Sequence, residues 1–276
     1  MLLHEIKLIL QEIFYHELDF VWGYHFVRQE SLKKLGDYSR MKMGVWIFLL
    51  GVLLLGGCFP MAAPERIPVY DALDKALTAE GALELDLSGQ GLTAIPDGLG
   101  AVRGLVRLRL RGNDLRVIGN EIGVIAHVPW VDMGRAGVQS LPDDIGLLTV
   151  LHTWWLSDNG LEVLPDTLVE MESLRYLNLD RNRLARLPAD IGQMQSLRWL
   201  RVNGNRLTEL PRSITELVGL ERLYLAYNRL SVLPDDIGRL QQLDTLVLTG
   251  NPLEEGELER VREALPACNV VFRVRQ

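Results

Sequence analysis

The sequence predicts an α/β solenoid, with short parallel strands on a concave face, short helical turns on a convex face, and a cover at each end. Three observations carry that prediction. From Ala82 onward the chain repeats itself every 23 residues. Unit positions 1, 4, 6 and 11 are apolar in all eight copies, 32 matches in 32. Asn at position 9 and Pro at position 15 each recur in six copies. In a chain that is 48% apolar, chance would give the apolar matches roughly once in 10¹⁰ trials, so the period belongs to the fold.

The units begin at Ala82, Leu105, Val128, Leu151, Leu174, Leu197, Leu220 and Leu243. The unit at 174–196 reads LRYLNLDRNRLARLPADIGQMQS. Positions 3 to 7 alternate as a strand, so Leu177 and Leu179 are expected inward and Tyr176, Asn178 and Asp180 outward. One unit cannot bury its own leucines; stacked neighbours form one core and a parallel sheet. At about 4.8 Å per strand that sheet spans roughly 35 Å. The column Asn113, Asn159, Asn182, Asn205, Asn228 and Asn251 follows the strand. A side-chain amide there offers donors and an acceptor to backbone groups that the turn leaves unpaired, which is a structural role. The whole pattern resembles the leucine-rich-repeat family, in the form with LPxxIGxL on the outer side, over residues 82–265. Gln90 and Ala136 break the Asn column, Gly119 stands in place of Pro, and the third unit, VPWVDMGRAGV, is degenerate enough to predict a local irregularity.

Both ends carry covers. Residues 68–81 predict a capping helix with Val69, Leu73 and Leu77 inward. The last unit abandons LPxxIG, and residues 254–276 resemble the family's C-terminal cap. Leu258, Val261 and Leu265 share one helix face there, and Val270, Phe272 and Val274 alternate as a closing strand.

Ahead of residue 68 the sequence reads as an address. Gly44–Gly57 is an uncharged apolar run of 14 residues, short of the about 20 that span a membrane and suited to the core of a secretory signal. Arg40 and Lys42 precede it, and Leu55-Gly56-Gly57-Cys58 ends it. This resembles the lipobox of bacterial lipoproteins. The resemblance implies a signal peptide over 41–57, cleavage before Cys58, a diacylglycerol on its sulfur, and a tether over 58–67. Phe59 stands where Asp would retain a lipoprotein in the inner membrane of enteric bacteria, which favours the outer membrane of the cell envelope. Met41 and Met43 are suitable starts. Residues 1–40 then read as an over-extended gene start, or as an amphipathic helix with Ile6, Leu10, Ile13 and Phe14 at helical spacing.

Composition narrows the chemistry. Lys+Arg 29 against Asp+Glu 36 gives a net charge of −7, the wrong sign for a general nucleic-acid binder. Two cysteines exclude a disulfide scaffold and any multi-cysteine metal site. From residue 58 on, only His127 and His152 remain, with no GxSxG, HExxH or phosphate-binding glycine loop. No catalytic residue, metal or cofactor is expected, and the protein is not read as an enzyme. Asp143-Asp144 and Asp235-Asp236 suit the starts of solvated turns, and Cys268 suits a buried structural place in the cap.

The strand positions facing away from the core are more informative. Position 3 runs Glu84, Arg107, Trp130, Thr153, Tyr176, Trp199, Arg222, Thr245, and position 5 runs Asp86, Arg109, Asp132, Trp155, Asn178, Arg201, Tyr224, Val247. Trp, Tyr and Arg dominate binding hot spots, so Trp130, Trp155, Tyr176, Trp199, Arg201, Arg222, Tyr224 and Tyr227 are the candidate partner-binding residues. The competing reading is a self-paired face, with an Asp86–Arg109–Asp132 ladder and cation–π pairs Trp199–Arg222 and Arg201–Tyr224. Trp154, at the inward position 4, is expected in the core. The expected function is non-catalytic binding of a protein partner by a lipid-anchored envelope protein. The alternatives are binding of an envelope glycan, or a cytosolic scaffold if Met1 is the true start.

Overall fold

The computed structural model describes residues 67–272. Residues 1–40, the signal segment 41–57, Cys58, the tether up to residue 66, and Val274 lie outside the described residues.

Within them the chain forms one sheet of ten parallel strands in chain order. These are β1 (Val69–Tyr70), β2 (Leu83–Asp86), β3 (Leu105–Arg109), β4 (Trp130–Asp132), β5 (Thr153–Trp155), β6 (Tyr176–Asn178), β7 (Trp199–Arg201), β8 (Arg222–Tyr224), β9 (Thr245–Val247) and β10 (Asn269–Val271). The fold is a leucine-rich-repeat solenoid. From β3 to β9 the position-4 residues Leu108, Val131, Trp154, Leu177, Leu200, Leu223 and Leu246 stand in register. All are buried, as are the position-6 residues from Leu87 to Leu248. Trp154 belongs to this column, although its buried indole N–H meets no acceptor among the described residues. The first unit departs from the frame: Ala82 is exposed, and Leu83 pairs with Leu105. A register shift between Leu83 and Glu84 lets Leu83 take the place that leucine holds in later copies.

Each strand is followed by a turn whose hydrogen bonds repeat with the period. Asn182 accepts from the Leu161 N–H at 3.1 Å and donates to the carbonyls of Leu156 at 2.9 Å and Leu179 at 3.0 Å. Asn113, Asn159, Asn205, Asn228 and Asn251 make the same three bonds in their own turns. In every case two of the bonds reach back into the preceding repeat. Where Ala136 interrupts the column, its own backbone carbonyl accepts from the Leu115 N–H at 2.7 Å. Gln90 turns outward to the N-terminal cover instead, donating to the Asp71 carbonyl at 2.8 Å. The irregularity of the third unit is confined to its turn, where Gly137 adopts a φ of 74° and Val117 bridges to Ser140. Its strand, β4, keeps register on both sides.

The convex side consists of short 3₁₀ turns, among them Asp143–Leu147, Asp166–Glu170 and Arg212–Glu216. Proline sets the extended entry, and its carbonyl accepts the first bond of the turn, as from Leu168 N–H to Pro165 at 3.1 Å and from Ile214 N–H to Pro211 at 3.0 Å. These bonds run from residue i+3 back to residue i, the tighter winding used in short pieces. The turns stack closely. A side chain at Gly192 would press into the Ser213 carbonyl of the next repeat.

Both covers form, with one correction. Val69 is in β1, not in a helix, and is 60% exposed, while Leu77 is 44% exposed. The helix is only α1 (Leu73–Leu77), and Ala76 is its buried residue. Strand alternation replaces helical period here: Val69 aligns with the outward Glu84, and Tyr70 with the inward Leu85. At the other end α2 (Glu255–Ala264) buries Leu258 and Val261, with Leu265 buried just beyond it. Val270 aligns with Leu246. Glu257 accepts from the Leu233 N–H at 2.7 Å and Arg260 donates to the Leu233 carbonyl at 3.0 Å, which clasps α2 to the last outer turn. Cys268 is half-buried in this cover, and burial pushes its thiol up to about 11. Among the described residues, no helix is long and apolar enough to cross a membrane.

Candidate functional site

The register of the sheet decides which side chains meet on the concave face. Position 3 aligns as Glu84, Arg107, Trp130, Thr153, Tyr176, Trp199, Arg222, Thr245, and position 5 as Asp86, Arg109, Asp132, Trp155, Asn178, Arg201, Tyr224, Val247. Neighbours in each row lie about 4.8 Å apart. Their inward neighbours are committed to the core, so the rows are held on a rigid floor.

Three groups form along this floor. At the N-terminal end the guanidinium carbons of Arg107 and Arg109 lie 5.9 and 5.6 Å from the Trp130 ring centre. Glu84 is buried beneath them and pairs with both arginines. Arg109 therefore does not form the expected lateral ladder with Asp86 and Asp132. Those two carboxylates accept instead from the backbone N–H groups of Ser88 and Gly134, two residues on. Toward the C-terminal end, Tyr176 meets Trp199 edge-on at 5.0 Å and an interplanar angle of 89°. Arg222, the neighbour of Trp199 on the other side, lies over its ring, 4.0 Å from the ring centre. Arg201 stacks on Tyr224 at 4.8 Å while its guanidinium holds Asp180 at 2.6 and 2.8 Å. The expected cation–π pairs thus form, and they order the aromatic side chains of the floor.

Between these groups stands Trp155, 37% exposed, with no ring or cation partner among the described residues. Asn178 and Asp180, expected outward, are buried. Asn178 accepts from the Asp180 N–H at 2.9 Å, and Asp180 is covered by Arg201 and accepts from the Asn203 N–H at 2.8 Å. Tyr227 does not stand in the strand track either. It follows β8 in a left-handed turn at a φ of 57°, is 64% exposed, and lies over Gly250.

Tyr227 belongs to a row that sequence reasoning did not single out. Position 8 is left-handed in every repeat: Gly89, Gly112, Arg135, Asp158, Arg181, Gly204, Tyr227 and Gly250. The four glycines of that row were the available signal. Asp158 pairs with Arg181 in two hydrogen bonds and with Arg135 at 3.7 Å, and the Arg181 hydrogen bond holds its carboxyl below the usual range. No cluster of three or more metal-ligating side chains occurs among the described residues.

Comparison with known proteins agrees with the fold. A family model described as a leucine-rich repeat region matches residues 170–256. No curated protein sequence matches the chain significantly. Among solved structures, a leucine-rich-repeat protein of Leptospira interrogans is 32% identical with a TM-score of 0.56, over 69% of this chain and 55% of that one. An internalin of Listeria monocytogenes is 17% identical with a TM-score of 0.60, over 77% of this chain and 60% of that one. Internalin C2 of the same organism is 16% identical with a TM-score of 0.61, over 73% of this chain and 91% of that one. The chain thus spans little more than half the length of the first two, and the internalins show the fold alone.

Proposed function

We propose that this leucine-rich-repeat solenoid is a non-catalytic, protein-binding lipoprotein of the bacterial cell envelope, anchored by lipid on Cys58 and engaging its partner through the concave face. The observation that carries the reading is the ordered aromatic floor. Trp155 offers a part-exposed ring, flanked by Trp130 with the two arginines of β3 on one side and by the Tyr176–Trp199–Arg222 stack on the other. Side chains held in place by their neighbours lose little entropy on binding, which raises the return from each contact. Solenoids use such faces as extended binding surfaces. The address rests on the sequence Leu55-Gly56-Gly57-Cys58 behind its apolar run, and the outer membrane is the membrane that Phe59 favours.

The test of the face is the pair Trp155→Ala/Trp199→Ala. Truncating a hot-spot aromatic typically costs about 2 kcal/mol or more of binding, about thirtyfold. The variant should keep its circular dichroism and lose the envelope partner in a crosslinking pull-down, while charge reversal at Asp143 and Asp235 on the convex turns leaves capture unchanged. The opposite pattern would mean that the floor is paired only with itself. Capture of a glycan rather than a protein on mixed arrays would move the reading to sugar stacking on Trp155. Mass measurement of the native N-terminus tests the address. Acylated protein beginning at Cys58 supports it, and unmodified protein retaining residues 1–40 moves the reading to a cytosolic scaffold.

A further inference from the structure

The turns that follow the strands carry a row of arginines that the concave face does not use. Arg183, Arg206 and Arg229 occupy position 10 of three consecutive repeats and are exposed. Their backbone N–H groups make one and the same bond, to the carbonyls of Leu161, Leu184 and Leu207 at 2.8, 2.9 and 2.8 Å. The three side chains therefore leave equivalent points spaced about 4.8 Å apart. Arg183 has one exposed partner, Glu162 at 3.8 Å. Arg206 and Arg229 have no ion pair among the described residues. Like charges stacked directly across neighbouring strands repel, so an uncompensated row costs stability unless something anionic meets it. The chain as a whole is negative, and carboxylates occur on this flank too: Asp114 holds position 10 of the second repeat and pairs with Arg116, Glu162 pairs with Arg183, and Glu209 follows Arg206 by three residues, so the positive stretch is confined to the repeats of Arg183, Arg206 and Arg229. Tyr227, two residues before Arg229 and leaning over Gly250 of the next repeat, is an exposed ring with a polar tip of the kind that settles at a membrane–water boundary.

We propose that this rim docks on the anionic headgroups of the membrane to which the chain is tethered, so that the solenoid lies on its side along the bilayer. The inference rests on the lipid-anchor reading for its occupant. From Cys58 to the first described residue the chain can reach about 30 Å at most. A solenoid standing on its N-terminal end would hold the row several strand spacings further out, beyond the about 8 Å over which charge acts at physiological salt. Lying on its side, it brings all three arginines and Tyr227 to the headgroups and leaves the concave floor open laterally to a partner.

The experiment uses the full chain purified from bacterial membranes, its N-terminus checked by mass, on vesicles of phosphatidylethanolamine with or without phosphatidylglycerol. Phenylglyoxal modification is read at each arginine by mass spectrometry. Headgroup docking predicts that Arg206 and Arg229 react several-fold more slowly on the anionic vesicles only, that high salt removes the protection, and that Arg103, at the other ends of the strands, reacts equally in all cases. In Arg206→Gln/Arg229→Gln the docking constant read at Arg183 should fall about 25-fold, from about fivefold or 1 kcal/mol per arginine at an anionic surface. Equal reactivity on both vesicle types overturns the proposal, as does protection by poly-glutamate with none by anionic lipid, which would make the rim a protein-docking surface. If the mass shows no acyl group, the anchor reading falls by itself, and protection by vesicles added to the protein still decides whether the rim recognises headgroups.

Discussion

Asn182 serves three backbone groups with one side chain, and two of them belong to the repeat before its own. Removing the amide leaves those groups buried and unpaired. Asn182→Ala should therefore lower unfolding stability by about 1–3 kcal/mol in urea titration, whereas Arg183→Ala on the exposed flank should change it by less than about 0.5 kcal/mol. Equal midpoints would remove the column from the account of stability. Arg181 is a poor control despite its exposure, because it holds Asp158 and sits at a φ of 55°. That property was not legible beforehand. The Asn column announces itself because only an amide supplies donors and an acceptor together. A left-handed turn announces itself only where glycine occupies it, and Arg135, Asp158, Arg181 and Tyr227 conceal the row. Likewise, outward alternation correctly placed Asn178 and Asp180 off the core. It could not tell that a neighbouring repeat's Arg201 would cover Asp180.

At the scale of elements, the repeats were readable because eight copies average out local noise, and the covers less so because each occurs once. The strand β1 has two residues, too few for a period to appear, so its valine counted toward a helix. The C-terminal cover was clearer, since Leu258, Val261 and Leu265 keep a helical spacing along α2 and the residue after it. What holds that cover to the last turn is polar and could not be read from the pattern: Glu257 and Arg260 grip the N–H and carbonyl of Leu233. The Arg260 hydrogen bond, and after it the bond from the Leu233 N–H, keep the Glu257 carboxyl below its ordinary 4.5. Because the folded value is the lower one, the clasp contributes fully above the ordinary value and is lost as pH falls through the lowered one. Stability measured by thermal unfolding should therefore decline with acidification below about pH 4.5, and Glu257→Gln should flatten the part of that decline due to the clasp. In hydrogen exchange at neutral pH, Glu257→Ala should expose amides of α2 before those of the central strands. Unchanged α2 protection would show that its apolar face alone secures the cover.

On the scale of the whole molecule, the repeats distribute different chemistry to different sides: leucines inside, aromatics with arginines on the floor, carboxylates on the convex turns, and an arginine row along one rim. A partner and a membrane could then be held at once without competing for surface. The asparagine bonds add a direction to this assembly, since each fastens its turn to the preceding repeat. Such a molecule has a seam with a grain, and one stitch in it differs, where Ala136 leaves one backbone carbonyl to do what an amide does elsewhere. Pulled from its two ends in an optical trap, the solenoid should part first between the second and third repeats, releasing the longer C-terminal block as a unit. Replacing Ala136 with asparagine should move the first rupture elsewhere. A solenoid loaded along its axis would thus yield at a predetermined place, much as a perforated sheet tears along its line.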